Sequence, residues 1–249
     1  MVTETLADGA ETFEVTWRHA RDPVGIVLFA VGGGGDPLRH APLLDDLASR
    51  GLTVVAPHCA RLAGPRATWD ELVPRARRLC AALAAAGRPD LPVTGIGHSI
   101  GGATLLGLAG ARIWLDAGGP LPIGREPRLA RLALLAPPSG MFGAPGALSQ
   151  VEIPLLIIAA SEDTVTPPAQ AEFLQRGLAA RVPVELHVAQ GAGHFSFMHQ
   201  PPPDTVEPLA DRDAFLAEVG ERLAAFALGG ASPGEPHSPT PERPTPATP

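Results

Sequence analysis

The sequence of 249 residues has little of several features that would assign it to whole classes of protein. It has only two cysteines, Cys59 and Cys80, which are too few for a disulfide framework, so we predict that both are reduced and at least partly buried. Basic residues are fewer than acidic residues, and the formal net charge of -7 argues against a nucleic-acid partner. No apolar run reaches the roughly 18 residues that a membrane span needs, so we expect no membrane partner.

Targeting and metal-binding patterns are also missing. The first residues contain no basic stretch followed by an apolar one, so we predict no signal peptide and a cytoplasmic protein. No spacing of cysteine and histidine is typical of a zinc site, and we expect neither a metal nor a cofactor. Residues 229–249 are rich in proline, threonine and serine, which predicts a disordered tail after a single domain at residues 1–228.

Apolar runs alternate with helical patterns through the rest of the chain. We predict strands near residues 24–31, 52–57, 91–96, 131–136, 153–163 and 184–189, and helices near 38–50, 68–86, 101–109 and 211–227. The alternating pattern around Phe13–Trp17 indicates one or two antiparallel edge strands before them. Strands that alternate with helices predict an α/β fold, in which a mostly parallel, twisted sheet is covered by helices on both faces.

The most informative motif is Gly-His-Ser-Ile-Gly at residues 97–101, which stands between a predicted buried strand and a predicted helix. Strand, Gly-x-Ser-x-Gly and helix is the arrangement of a nucleophile elbow, in which a sharp turn exposes the serine hydroxyl above the sheet. The flanking residues must be small because strand and helix nearly touch there. Ser99 is therefore the candidate nucleophile.

An acid and a histidine follow in the order that such a site requires. The apolar run at 153–163 ends in Glu162 and Asp163, and we favour Asp163 over its neighbour as the acid. His194 lies on a glycine-rich loop after the strand at 184–189, whereas His187 is within that strand and His199 stands beside Gln-Pro. Thr166 is expected to cap the helix that follows the acid, with prolines in its first turn.

These residue types together suit nucleophilic catalysis on a carbonyl group. A serine hydroxyl is a weak nucleophile at neutral pH, so His194 would take its proton during attack, and Asp163 would orient the imidazole. The amide of Ile100, directly after the serine, would supply one oxyanion donor. The four glycines at 32–35, which follow the first predicted parallel strand, would supply the second.

The elbow, Asp163 and His194 together resemble the α/β-hydrolase superfamily. Residues 97–104, 134–137, 161–168 and 191–195 are more closely similar to predicted dienelactone-hydrolase-like esterases, relatives of platelet-activating-factor acetylhydrolases. The resemblance implies a serine hydrolase for small soluble esters, with Gly33 as the second oxyanion donor. Such enzymes commonly have His-Gly where this chain has Val31-Gly32, and the prototype dienelactone hydrolases use cysteine as nucleophile.

The same residues are compatible with functions other than that of an esterase. Thioesterase and acyltransferase activities are close variants, and a non-catalytic binding protein on the same fold is another alternative. A nicotinamide-dependent oxidoreductase is disfavoured, because Ile100 occupies the final glycine position of the dinucleotide pattern and the chain contains no tyrosine. Dehalogenase and epoxide hydrolase relatives have aspartate at the elbow, where this chain has Ser99.

The segment between the predicted strands at 131–136 and 153–163 is too short for a cap domain, so we predict an open site. Met141, Phe142 and Phe195 are the candidate substrate-binding residues, with a small-molecule ester as partner.

Overall fold

The computed structural model describes residues 2–9, 11–116 and 118–230, and its central feature is an eight-stranded sheet. The strands are β1 (Val2–Asp8), β2 (Glu11–Arg18), β3 (Gly25–Ala30), β4 (Leu52–Pro57), β5 (Val93–His98), β6 (Leu129–Leu135), β7 (Leu155–Ala160) and β8 (Val184–Ala189). Their order across the sheet is β1-β2-β4-β3-β5-β6-β7-β8. Pairing is parallel from β4 through β8 and antiparallel at β1–β2 and β2–β4, which confirms the predicted mostly parallel sheet with antiparallel strands at one edge.

Five α-helices cover the sheet: α1 (Ala41–Ser49), α2 (Trp69–Ala85), α3 (Ile100–Leu108), α4 (Pro168–Leu178) and α5 (Arg212–Ala227). Apolar side chains of α2, α3 and α4 form one core with one face of the sheet, and those of α1 and α5 form a second core with the other face. Strands β3, β5 and β7 are buried along their whole length, because both faces are covered. This double burial explains why they are continuous apolar runs in the sequence.

Several boundaries differ from the predicted ones for local reasons. The helix predicted at 38–50 begins as a 3-10 turn at Pro37–His40, where the Asp36 carboxylate accepts a hydrogen bond from the amide of Leu38. Strand β5 runs on to His98, directly before the nucleophile candidate. Between β6 and β7 the chain forms a single 3-10 turn, Gly140–Phe142, and no inserted helical domain, in agreement with the predicted open site.

Cys59 and Cys80 are free and partly buried, as expected. None of the helices in residues 2–9, 11–116 and 118–230 is long and apolar enough to cross a membrane. Most of the predicted disordered tail, residues 231–249, lies outside the described residues.

Candidate active site

Ser99 occupies a sharp turn between β5 and α3. Its backbone has φ 54° and ψ −128°, a conformation that costs free energy in a residue with a side chain and that is typical of functional turns. The turn is as tight as the motif predicts. A Cβ on Gly97 would lie 2.6 Å from the amide nitrogen of Gly102, and one on Gly101 would lie 2.2 Å from the carbonyl oxygen of Ala30. Only glycine fits at either position.

The three candidate catalytic side chains form one hydrogen-bonded chain. The Oγ of Ser99 lies 3.1 Å from Nε2 of His194, and Nδ1 of His194 lies 2.7 Å from Oδ2 of Asp163. Asp163 follows β7 and His194 follows β8, so parallel strands deliver all three residues to one edge of the sheet. Because ionised Asp163 can only accept, Nδ1 of His194 carries a proton, and Nε2 is the ring nitrogen that faces the Ser99 hydroxyl.

Asp163 is almost fully buried, yet its surroundings favour the ionised carboxylate. Burial alone would raise the pKa of Asp163, but hydrogen bonds from His194 and Thr166 outweigh it, and the pKa is lowered. Oδ1 accepts the backbone amides of Val165 and Thr166, each at 2.7 Å. The carboxylate is therefore charged at neutral pH and fixed in orientation, as a residue that stabilises an imidazolium must be.

Thr166 is not the helix cap that the sequence suggests. Helix α4 begins at Pro168 after Pro167, and the Thr166 hydroxyl lies within hydrogen-bond distance of Asp163 Oδ2 (2.8 Å), His194 Nδ1 (3.0 Å) and the Ala136 carbonyl (3.0 Å). The Thr-Pro pattern is typical of a helix start, and nothing local in the sequence shows that the hydroxyl turns towards the site. Thr166 thus ties the acid and the histidine to the end of β6.

We expect Thr166→Val, which keeps the shape of the side chain, to lower kcat about tenfold, the effect of one hydrogen bond to a charged group. Thr166→Ser retains the hydroxyl and is the matched control, with kcat near that of the native protein. Steady-state hydrolysis of a chromogenic ester measures both. Equal losses in the two variants would contradict a role for the hydroxyl.

The rival acid and histidines do not join this chain. Glu162 is exposed, and its side chain accepts a hydrogen bond from Ser161. His187 is within β8, and the backbone carbonyl of His199 accepts a hydrogen bond from Arg212.

Two further histidines lie beneath the site in a row with His194. The ring centroid of His98 is 5.0 Å from that of His194 and 5.4 Å from that of His40. Nε2 of His98 donates to the carbonyl of His194 at 3.0 Å, which links the residue before the candidate nucleophile to the candidate base. Burial, with help from neighbouring charges, lowers the pKa of His40 to about 3 and that of His98 well below its ordinary value. Both rings are therefore neutral at physiological pH.

This burial makes the fold sensitive to acid. The unfolded chain takes up a proton at His40 near pH 6.5, but the folded protein does so only near pH 3, so stability falls as pH falls below about 6.5. For each histidine buried in this way, the free energy of unfolding falls by about 1.4 kcal/mol for every pH unit below that point. We expect His40→Phe to flatten the dependence of the free energy of unfolding on pH between about pH 7 and 5, measured by urea denaturation. Replacing the exposed His19 is the control, and an unchanged slope in His40→Phe would contradict the prediction.

A cavity of about 500 Å³ opens beside Ser99 and His194. Residues 32–35, the predicted oxyanion loop, form part of its wall together with Phe195, Val165 and Leu62. A Cβ on Gly32 would lie 3.6 Å from Cβ of Ser99, so the loop backbone passes directly beside the candidate nucleophile. Ile100 is the first residue of α3, where helical amides have no partner within the helix.

Two of the three predicted substrate-binding residues are placed elsewhere. Phe142 is 2% exposed and belongs to the core that α2, α3 and α4 form with one face of the sheet. Met141 is partly buried against the same core, and neither residue lines the cavity beside Ser99. Phe195 does line it, and its ring contacts His194 edge to face at 5.0 Å. Among the described residues no group of three or more histidine, cysteine, aspartate or glutamate side chains is arranged to hold a metal ion.

Solved structures share this architecture, although no protein-family model and no curated protein sequence matches the chain. An alpha-beta serine hydrolase homologue from Coxiella burnetii superimposes with a TM-score of 0.61 and 19% identity over 90% of this chain and 96% of the other. Dienelactone hydrolase from Anabaena variabilis superimposes with a TM-score of 0.64 and 19% identity, over 88% of this chain and 94% of the other.

An esterase from Thermogutta terrifontis gives a TM-score of 0.65 and 15% identity over 90% of each chain. Each likeness extends over nearly the whole of both chains, at identities that establish fold alone. The strand order, the elbow at Ser99 and these neighbours lead to one conclusion: the chain has the α/β-hydrolase fold.

Proposed function

We propose that the protein is a serine hydrolase that cleaves carboxylic esters of small, soluble molecules through an acyl-enzyme intermediate. The observation that carries the proposal is the contact of 3.1 Å between Ser99 Oγ and His194 Nε2, on a strained elbow that opens into a cavity. A histidine that is held through Nδ1 by an ionised carboxylate and faces the serine with Nε2 is the arrangement that a base for a serine hydroxyl requires.

The first half-reaction forms the acyl-enzyme. Ser99 Oγ attacks the ester carbonyl carbon while its proton passes to His194 Nε2. The carbonyl oxygen becomes an oxyanion, stabilised by the amides of Ile100 and Gly33. The tetrahedral intermediate collapses as the C–O bond to the alcohol breaks, and His194 returns the proton to that alcohol.

The second half-reaction reverses these roles. Water attacks the acyl carbon as His194 Nε2 accepts a proton from the water. The bond between Ser99 Oγ and the acyl carbon then breaks, the carboxylic acid leaves, and His194 returns the proton to Ser99 Oγ. Since no helical domain is inserted between β6 and β7, substrate reaches Ser99 without a lid movement there. Rates should follow the concentration of monomeric substrate smoothly, without the jump at the solubility limit that lid opening produces.

A fluorophosphonate probe and a panel of p-nitrophenyl esters of increasing acyl length test this function. We expect the probe to label Ser99 stoichiometrically, found by peptide mass spectrometry, and the shortest acyl chains to give the highest kcat/KM. Including the matching thioesters and an alcohol acceptor separates ester hydrolysis from thioesterase and acyltransferase activity. A folded protein that neither reacts with the probe nor hydrolyses any of these substrates would contradict the proposal.

A further inference from the structure

A buried arginine stands behind the loop that lines the candidate nucleophile. Arg75 is on α2 and is 4% exposed. Its Nη1 donates to the carbonyls of Val31 (3.2 Å) and Gly32 (3.0 Å), and its Nη2 donates to those of Ala60 (2.6 Å) and Gly33 (3.5 Å). No carboxylate among the described residues forms an ion pair with it. The guanidinium, which stays protonated in proteins, is therefore a buried cation satisfied by four backbone carbonyls.

These hydrogen bonds fix the direction of the amides in the loop. In a planar trans peptide, the carbonyl of one residue and the N–H of the next point to opposite sides. Because the carbonyls of Val31 and Gly32 face Arg75, the N–H groups of Gly32 and Gly33 point away from it. Both of those amides lack an acceptor within the part of the chain that the structure describes.

The cavity beside Ser99 is lined by the loop but not by Arg75. Gly32, Gly33 and Ser99 all line it. The unpaired amides and the candidate nucleophile thus share one space, with the guanidinium behind the loop. The guanidinium also places a positive charge on the far side of the peptide groups that would meet an oxyanion.

We propose that Arg75 is a positioning residue, which holds the carbonyls of residues 31–33 so that the amides of Gly32 and Gly33 point into the cavity, where the Gly33 amide meets the oxyanion formed on Ser99 together with the amide of Ile100. This role rests on the proposed ester hydrolysis. It is distinct from simple cross-linking of α2 to the loop, because a preorganised donor stabilises the transition state more than the bound substrate.

Arg75→Met, with Arg78→Met as matched control, tests the role. Arg78 is on the same helix but forms ion pairs with Asp8 and Glu11, away from the loop. The readouts are kcat, KM and the inhibition constant of a trifluoromethyl ketone. In that inhibitor's adduct, Ser99 Oγ bonds to the ketone carbon, the hydroxyl proton moves to His194, and the former carbonyl oxygen carries the negative charge.

We expect Arg75→Met to lower kcat on the order of 10²-fold, the effect of losing one oxyanion donor, and to raise the inhibition constant by a similar factor. KM should stay near the native value, and Arg78→Met should leave kcat and the inhibition constant unchanged. Arg75→Lys keeps the charge with fewer donors, so its losses should be smaller. If Arg75→Met does not fold, the kcat, KM and inhibition constant of Arg75→Lys test the proposed role instead.

A folded Arg75 variant with native kcat and native affinity for the ketone would overturn the role, as would a variant in which only KM rises. Native protein that hydrolyses no ester would overturn the proposed function itself and the role with it. Active native protein with unaffected Arg75 variants would overturn the role alone.

Discussion

Ser99→Ala should abolish ester hydrolysis, with kcat reduced on the order of 10⁴–10⁶-fold. Ser99 Oγ is the atom within hydrogen-bond distance of His194 Nε2, and alanine removes it while preserving the backbone of the elbow. Because alanine has nearly the volume of serine, the fold and the melting temperature should change little. Burst and steady-state kinetics with p-nitrophenyl esters measure the loss, and circular dichroism checks the fold.

Ser49→Ala is the matched control for this variant. Ser49 is exposed at the end of α1, where its hydroxyl donates to the carbonyl of Asp46. Its replacement should leave both kcat and fluorophosphonate labelling as in the native protein. A purified, folded Ser99→Ala protein that retained more than about a tenth of native activity would refute the assignment of the nucleophile, since residual activity without a nucleophile is far smaller.

Asp163→Asn should lower kcat by about 10⁴-fold, because an amide donates where His194 needs an acceptor and so favours the wrong tautomer of the ring. The geometry is otherwise preserved, since asparagine has the same shape. Glu162→Gln is the matched control, because Glu162 is the adjacent acid, is exposed, and accepts a hydrogen bond from Ser161. Its kcat should remain near the native value.

The pH dependence of the Asp163→Asn variant gives a second readout. Without the carboxylate, the imidazolium loses its stabilisation, and the acid limb of the kcat/KM profile should change along with the rate. If Glu162→Gln were the more damaging substitution, the acid would have been misassigned by one residue.

The strand–elbow–helix segment was predictable because its constraints are local. Gly97 and Gly101 are required by contacts within a few residues of Ser99, and the apolar runs of β5 and β7 reflect burial on both faces. Chain order then restricted the acid and the histidine to the ends of later parallel strands. Local geometry and chain order together were enough to nominate Ser99, Asp163 and His194.

Residues that act through long-range contacts could not be identified in this way. Arg75 is one of several arginines in an amphipathic helix, and its burial depends on carbonyls more than 40 residues earlier in the chain. Thr166 matches a helix cap in sequence, but the Ala136 carbonyl and His194 determine where its hydroxyl points. The sequence also does not show whether the aromatic side chain of Phe142 lines a pocket or joins the core, because the path of the turn at Gly140–Phe142 decides this.

The position of β8 has a consequence for how the proposed activity would be lost on heating. This strand is at the edge of the sheet, five of its six residues are only half-buried, and His194 follows it. Edge elements with few buried contacts open at a lower free energy than the centre of a fold. Detachment of β8 would withdraw His194, the candidate base, while β3, β5 and β6 remain paired. Thermal inactivation should therefore precede the loss of secondary structure, and amides of β8 should exchange with solvent faster than those of β5.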